Sequence, residues 1–272
     1  MVKWTVGVVA MIDALGWKGI WQHEDASKVL DKLEQLELRF QNDAIRYRAI
    51  LDSHFGKYGK SGLIRPKVVF LSDTVIYTVK LDLSAIPVGK HEESIGNIID
   101  LSTTIINGFT KFAAIGSPLI YRGAISYGEY LDRGNFIIGP AVDDAAEWMN
   151  KPDAAVVILT PNASAMRNSV INKGRLWCPV PRNMPRFIKQ MVPCKGNQVC
   201  DLDVVNVWAT PSPSIAATRQ MYVDQLVQAF ERTPTEEVVK KFENTRRIID
   251  TSYKESVRKK RNKNKNKNKN KG

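Results

Sequence analysis

The strongest constraint on the fold is the opening run Trp4-Thr5-Val6-Gly7-Val8-Val9-Ala10-Met11-Ile12, nine residues that end at Asp13. It is rich in β-branched residues and too short to cross a bilayer, and no cleavage site follows it. It predicts a buried strand, which needs other elements to cover it. The rest of the chain supplies them. Asp25 or Ser27 can cap a helix that runs to about His54, with Val29, Leu30, Leu33, Leu36, Phe40, Ala44 and Tyr47 on one face. Lys67–Leu71 and Val75–Leu81 predict a hairpin turning at Ser72-Asp73. A helix follows over Ser94–Ala114, then a strand over Leu119–Tyr127. Gly139-Pro140 opens another helix, since proline suits the first helical position. Ala154–Thr160 predicts a further strand. Strand, helix, two strands, helix and strand form a ferredoxin-like α+β arrangement, a sheet with helices packed on one face.

Beyond residue 170 the pattern weakens. A strand is expected at Val204–Ala209 and helices at Ala216–Glu231 and Thr235–Val257. The chain thus divides into a body at 1–170, a helical C-terminal extension at 171–257, and a tail at 258–272. The tail holds nine Lys and Arg and no acid, and its Asn-Lys repeat has no apolar residue to bury, which predicts disorder. It dominates the net charge of +12; without it 31 basic residues face 28 acidic ones. Binding to nucleic acid or an anionic membrane is therefore a question about the tail, with a solubilising end as the plain alternative. With 43% hydrophobic residues the chain as a whole is globular.

Cys178, Cys194 and Cys200 lack zinc-knuckle spacing and read as free thiols of a cytoplasmic protein. Gly56-Lys57-Tyr58-Gly59-Lys60-Ser61 looks like part of a phosphate-binding loop but lacks the first glycine and follows a helix. The candidate chemistry lies at Asp13 and Asp73, each closing an apolar strand. Two carboxylates at neighbouring strand ends can share two divalent ions, with Mg²⁺ or Mn²⁺ suited to oxygen ligands and the Ala14 carbonyl as a further donor. Aspartate after a strand is also common in ordinary turns.

The flanking residues sharpen the choice. Ile12-Asp13-Ala14-Leu15-Gly16-Trp17 resembles the first metal segment of class III nucleotidyl cyclases, and Leu71-Ser72-Asp73-Thr74 the second. Arg122-Gly123-Ala124-Ile125-Ser126-Tyr127-Gly128 is similar to their Arg-x-Gly-Ile-x-x-Gly strand, with Ala124 for the inner Gly. Gly139-Pro140-Ala141-Val142-Asp143-Asp144-Ala145-Ala146-Glu147 is similar to their Gly-x-x-Val-Asn-x-Ala-x-Arg helix. Two departures matter: Asp143 replaces the ribose-orienting Asn, and Glu147 replaces the Arg that stabilises the transition state. Both acids also suit the first turns of a helix.

The positions that read a purine in the family hold Val69 and Phe136 here. This combination resembles the bacterial pyrimidine cyclases of Pycsar antiphage defence. The resemblance implies a homodimer that converts UTP, or next CTP, to a 3′,5′-cyclic monophosphate and pyrophosphate with two Mn²⁺ or Mg²⁺ ions. Its product would activate a separate effector. Asp13 and Asp73 are then the catalytic metal ligands, and Tyr47, Phe136, Asp143, Glu147 and Arg122 the candidate nucleotide contacts. The alternatives are an adenylate cyclase with altered base recognition, or a nucleotide sensor with a degenerate site.

Overall fold

The computed structural model describes residues 4–15, 17, 24–55, 64–116, 119–134, 136–174, 187–207, 215–231 and 235–269. Strand β1 (Thr5–Leu15) runs through the middle of a mixed sheet, antiparallel to β3 (Thr74–Leu81) on one side and β4 (Ile120–Arg133) on the other. β2 (Ile64–Leu71) forms the expected hairpin with β3, Leu71 pairing with Thr74. With helices α1 (Ala26–Phe55) after β1 and α2 (His91–Gly116) after β3, the first half is the β-α-β-β-α-β unit that the sequence predicts. Asp25 caps α1: its carboxylate accepts from the Ser27 amide at 2.8 Å.

Helices cover both faces of the sheet, where the element order predicts one, because a third helix crosses the face opposite α1 and α2; Leu30, expected on the packed face of α1, is exposed. Val8, Ala10 and Ile12 of β1 and Val75, Tyr77 and Val79 of β3 are buried in one large core with α1 and α2. Phe40 stands edge-on to Tyr77 and Phe109, with ring centroids at 5.2 and 4.8 Å. On the other face lies α3 (Pro140–Met149), which packs on β1 and β4 through a smaller cluster of Val9, Tyr130, Ala141 and Ala145. Gly139 precedes α3 with φ of 131°, and a Cβ there would meet Trp4 at 2.8 Å and the Tyr130 backbone at 3.0 Å, so only glycine suits this entry.

The region after α3 differs most from expectation. β5 (Phe136–Ile138) pairs with the end of β4 as a short arm, which the Lys67–Asp132 ion pair ties to β2 at 2.5 Å. β6 (Val157–Leu159) runs parallel to β4. Helix α4 (Pro161–Asn172), not expected from the pattern, starts at a Thr160 cap with proline in its first turn. The extension, expected to be helical, opens instead with a β-hairpin of β7 (Phe187–Cys194) and β8 (Gln198–Val205), and β8 joins the sheet beside β6. The full order is β2-β3-β1-β4-β6-β8-β7. The expected strand at Val204–Ala209 is thus β8, shifted towards the N-terminus. Four prolines over 179–193 hid the hairpin, because proline within a run demotes a strand reading. Pro193 sits in β7, at the edge of the sheet, where it removes no interior ladder bond.

Helices α5 (Ile215–Glu231) and α6 (Glu236–Lys269) complete the chain. α6 keeps a helical backbone through 258–269, where composition predicts disorder. The repeat contains neither proline nor an internal glycine, and extending an existing helix costs far less than starting one. α6 is fastened to the stretch before β6. The Thr245 hydroxyl accepts from the Ala155 amide at 2.7 Å, and Asn244 donates to the Asp153 carbonyl at 2.7 Å. Thr245 and Ala155 are both buried. Thr245→Val keeps the shape and orphans a buried amide, so it should lower unfolding stability by about 1–3 kcal/mol in urea denaturation. Among the described residues no helix is long and apolar enough to cross a membrane.

Candidate active site

Asp13 lies near the end of β1, on the face that carries Val9 and α3, because alternate residues of a strand share a face. Its two neighbours in register are Thr74 on β3 and Arg122 on β4. Both hold its carboxylate. Thr74 donates to Oδ1 at 3.3 Å, and Arg122 Nε and Nη2 donate to Oδ2 at 3.4 and 3.3 Å. The pair is largely buried, with 18% of the Asp13 side chain and 12% of that of Arg122 exposed. Nη2 of Arg122 also reaches Asn150 Oδ1 at 3.3 Å, at the C-terminal cap of α3, while Nη1 is buried with no hydrogen-bond partner among the described residues.

Asp73 enters from the β2–β3 turn. Ser72 takes a left-handed conformation, φ 57°, and the Asp73 carbonyl accepts from the Ala14 amide at 2.9 Å. That bond pins the turn against the end of β1 and sets the two aspartates side by side. Burial pushes the Asp13 carboxyl above its ordinary value; the Arg122 guanidinium opposes this, and the Asp73 charge adds to it. Tyr121, buried behind the pair, has its hydroxyl pushed up by burial and then by both carboxylates. No described residue donates a hydrogen bond to the Asp73 carboxylate.

The four residues Asp13, Ala14, Asp73 and Arg122 are therefore brought together as the sequence implies. The partners Thr74, Tyr121 and Asn150 were missed. The first two adjoin motif residues and follow from the register, whereas Asn150 has no signal in the sequence. Phe136 lies on the exposed arm, with 74% of its surface accessible. Asp143 and Glu147 lie on the outer side of α3. The Glu147 side chain is 65% exposed and pairs with Lys151 at 2.6 Å, the Lys151 ammonium sitting 3.9 Å from the centre of the Trp148 ring. No described contact links Phe136, Asp143 or Glu147 to Asp13 of the same chain. Tyr47 lies on α1, but its side chain is outside the described residues, as are the whole 56–61 loop and Cys178. Cys194 and Cys200 are free thiols; burial and then Cys200 push the Cys194 thiol up to about 12, which leaves it inert at neutral pH.

Among the described residues no cluster of three or more His, Cys, Asp or Glu side chains is present. The donor set is two neighbouring carboxylates, the charge of Asp73 being one cause of the raised proton affinity of Asp13, with Asp13 itself largely buried. That fits hard divalent cations whose remaining ligands come from backbone, water or substrate oxygens.

No protein-family model and no curated protein matches the sequence. Among solved structures, the chain is similar to the adenylyl cyclase CyaB from P. aeruginosa, with 15% identity, a TM-score of 0.45, and coverage of 76% of this chain and 96% of that one. It is also similar to the catalytic core of a rhodopsin-guanylyl cyclase with converted specificity in complex with ATPαS, at 14% identity and a TM-score of 0.46, covering 75% and 97%. The guanylyl cyclase Cya2 matches at 11% identity and a TM-score of 0.37, covering 78% and 97%.

Proposed function

We propose that this chain is a nucleotidyl cyclase that closes a pyrimidine nucleoside triphosphate, UTP before CTP, into its 3′,5′-cyclic monophosphate and releases pyrophosphate. The observation that carries this reading is the pair Asp13 and Asp73, held side by side by the Ala14 amide on a sheet face next to α3. The four cyclase-like segments of the sequence support it. Asp13, Asp73 and the Ala14 carbonyl would hold two Mg²⁺ or Mn²⁺ ions. Bound there, the ions supply a lowered pKa for the attacking 3′-hydroxyl and neutralise charge on the triphosphate. Arg122 orients the Asp13 carboxylate through Nε and Nη2.

Val69 and Phe136 offer no purine-reading polar group, which favours a smaller base read elsewhere; Tyr47 is the candidate reader. Asp143 and Glu147 do not reach Asp13 of their own chain, so they act, if the site is shared as in the resembled family, on a second copy in a homodimer. The cyclic product serves as a second messenger to a separate effector in antiphage defence, a role that rests on the Pycsar resemblance alone.

The test is incubation with Mn²⁺ and each of the four ribonucleoside triphosphates, with products identified by mass. Cyclic UMP or CMP that vanishes in Asp73→Ala supports the proposal. Cyclic AMP as sole product favours a purine cyclase, and triphosphate binding without product favours a sensor. Light scattering with substrate present checks the dimer: a monomer would contradict a shared site.

A further inference from the structure

The basic run at the C-terminus has no part in the site described above. Residues 258–269 contain eight Lys and Arg and no acid, and they continue α6 as helix. At 1.5 Å per residue these twelve residues span about 18 Å, so one cation falls every ~2.3 Å of helix axis. Duplex DNA carries one phosphate charge per about 1.7 Å of its axis, a linear density of similar size and opposite sign. An α-helix is about 10–12 Å across with side chains, close to the ~12 Å width of the B-DNA major groove. We propose that the basic end of α6 is a docking element for the phosphate backbone of duplex DNA, without base-sequence preference.

Other occupants fit less well. Residues 258–272 include no apolar residue, so there is nothing to insert into a bilayer, as a surface-seeking helix requires. They include no aromatic residue, so there is no platform on which single-stranded bases could stack. The rest of the chain is nearly balanced in charge, 31 basic against 28 acidic residues, so it carries no net negative charge to draw the run onto itself or a second copy. The helix that carries the run is anchored upstream by the Asn244 and Thr245 hydrogen bonds, with Ile248, Ile249 and Ser252 buried. Docked DNA is therefore tied to the body of the protein and not only to a loose end. Its eight cations face phosphates, contacts that position a protein on duplex DNA without specifying sequence, and the low-complexity Asn-Lys repeat from Asn262 supplies no varied set of side chains to read one.

The experiment uses the full chain, fluorescence anisotropy with a labelled 20-base-pair duplex of arbitrary sequence, and a salt series from 50 to 200 mM. Binding should weaken by about 10³–10⁴ over that range if six to eight phosphates are engaged. Substituting Lys263→Gln, Lys265→Gln, Lys267→Gln and Lys269→Gln together should flatten the log–log salt slope by about 3 to 4, at roughly 0.9 per cation. Two unrelated duplex sequences should bind alike. An unchanged slope in the quadruple variant overturns the proposal, as does tighter binding to single-stranded RNA or to phosphatidylserine vesicles than to the duplex. These readouts do not involve nucleotide chemistry, so they stand or fall apart from the cyclase reading.

Discussion

Asp13→Asn is expected to cut cyclic nucleotide formation by about 10³-fold or more while the protein remains folded. Asparagine keeps one oxygen to accept from Arg122, and its amide nitrogen can donate to the Thr74 hydroxyl in place of the bond that Thr74 gives Asp13, but it loses the negative charge that would hold a divalent cation. Charge stabilisation by a bound ion is worth several kcal/mol, and each 1.36 kcal/mol is a factor of ten. The same variant should not lose stability at neutral pH. Burial and Asp73 raise the Asp13 pKa despite Arg122. A carboxyl with a raised folded pKa favours the fold below its ordinary value, and that contribution is lost as pH rises through the folded value. At pH 7 the ionised side chain is therefore the less favourable form, and Asn should match or exceed the native urea midpoint. Near pH 3 the difference should disappear. Mn²⁺ should raise the native melting temperature at neutral pH, through its preference for the folded pair, and leave Asp13→Asn unmoved. An Asn variant with native turnover would sink the metal-ligand role of Asp13.

The site was more legible in the sequence than the second half of the fold, for physical reasons. Asp13 and Asp73 each end an apolar strand, and a strand written in continuous apolar residues announces both its burial and its end. Once β1 pairs with β3 and β4, the ladder register alone puts Thr74 and Arg122 beside Asp13. Asn150 could not be read this way, because its approach to Arg122 depends on how α3 lies across the sheet. The β7–β8 hairpin was hidden for a different reason. Its edge strand tolerates Pro193, and its turn at Lys195–Asn197 needs the left-handed residues Gly196 and Asn197 (φ 74° and 60°), so the local composition looks like loop. Glu147 shows where sequence comparison and structure meet. Charge reversal at a catalytic position looked costly, yet the side chain is exposed and paired with Lys151, so in the single chain it behaves as an ordinary helix-surface acid.

Gly123→Ala should be strongly destabilising. Gly123 sits opposite Ile12 on β1 and beside Val157 on β6, in the middle of the sheet. A Cβ there would lie 2.3 Å from the Met11 carbonyl oxygen, 2.4 Å from Ile12 Cγ2 and 2.8 Å from Ile12 Cα. Two of those atoms are backbone of the central strand, so no rotamer change relieves the clash; β1 and β4 must separate. Overpacking in a tight core costs about 1–3 kcal/mol and sometimes more, and this case belongs above that range because the obstructing atoms cannot move alone. Against a total stability of roughly 5–15 kcal/mol, a loss of more than about 3 kcal/mol is a large fraction and lowers the folding equilibrium constant by more than about 100-fold. Gly89→Ala is the matched control, since nothing lies within 4 Å of its would-be Cβ. It should be neutral or stabilise by up to about 1 kcal/mol, because alanine restricts the unfolded chain. Urea denaturation of both variants gives the comparison. The separation of β1 from β4 also pulls apart Asp13 and Arg122, which are paired across that same ladder one step from Gly123. Any Gly123→Ala protein that does fold, for instance at low temperature, should therefore bind Mn²⁺ with altered affinity. A Gly123→Ala variant as stable as Gly89→Ala would mean that the β1–β4 spacing is wider in solution than the register requires.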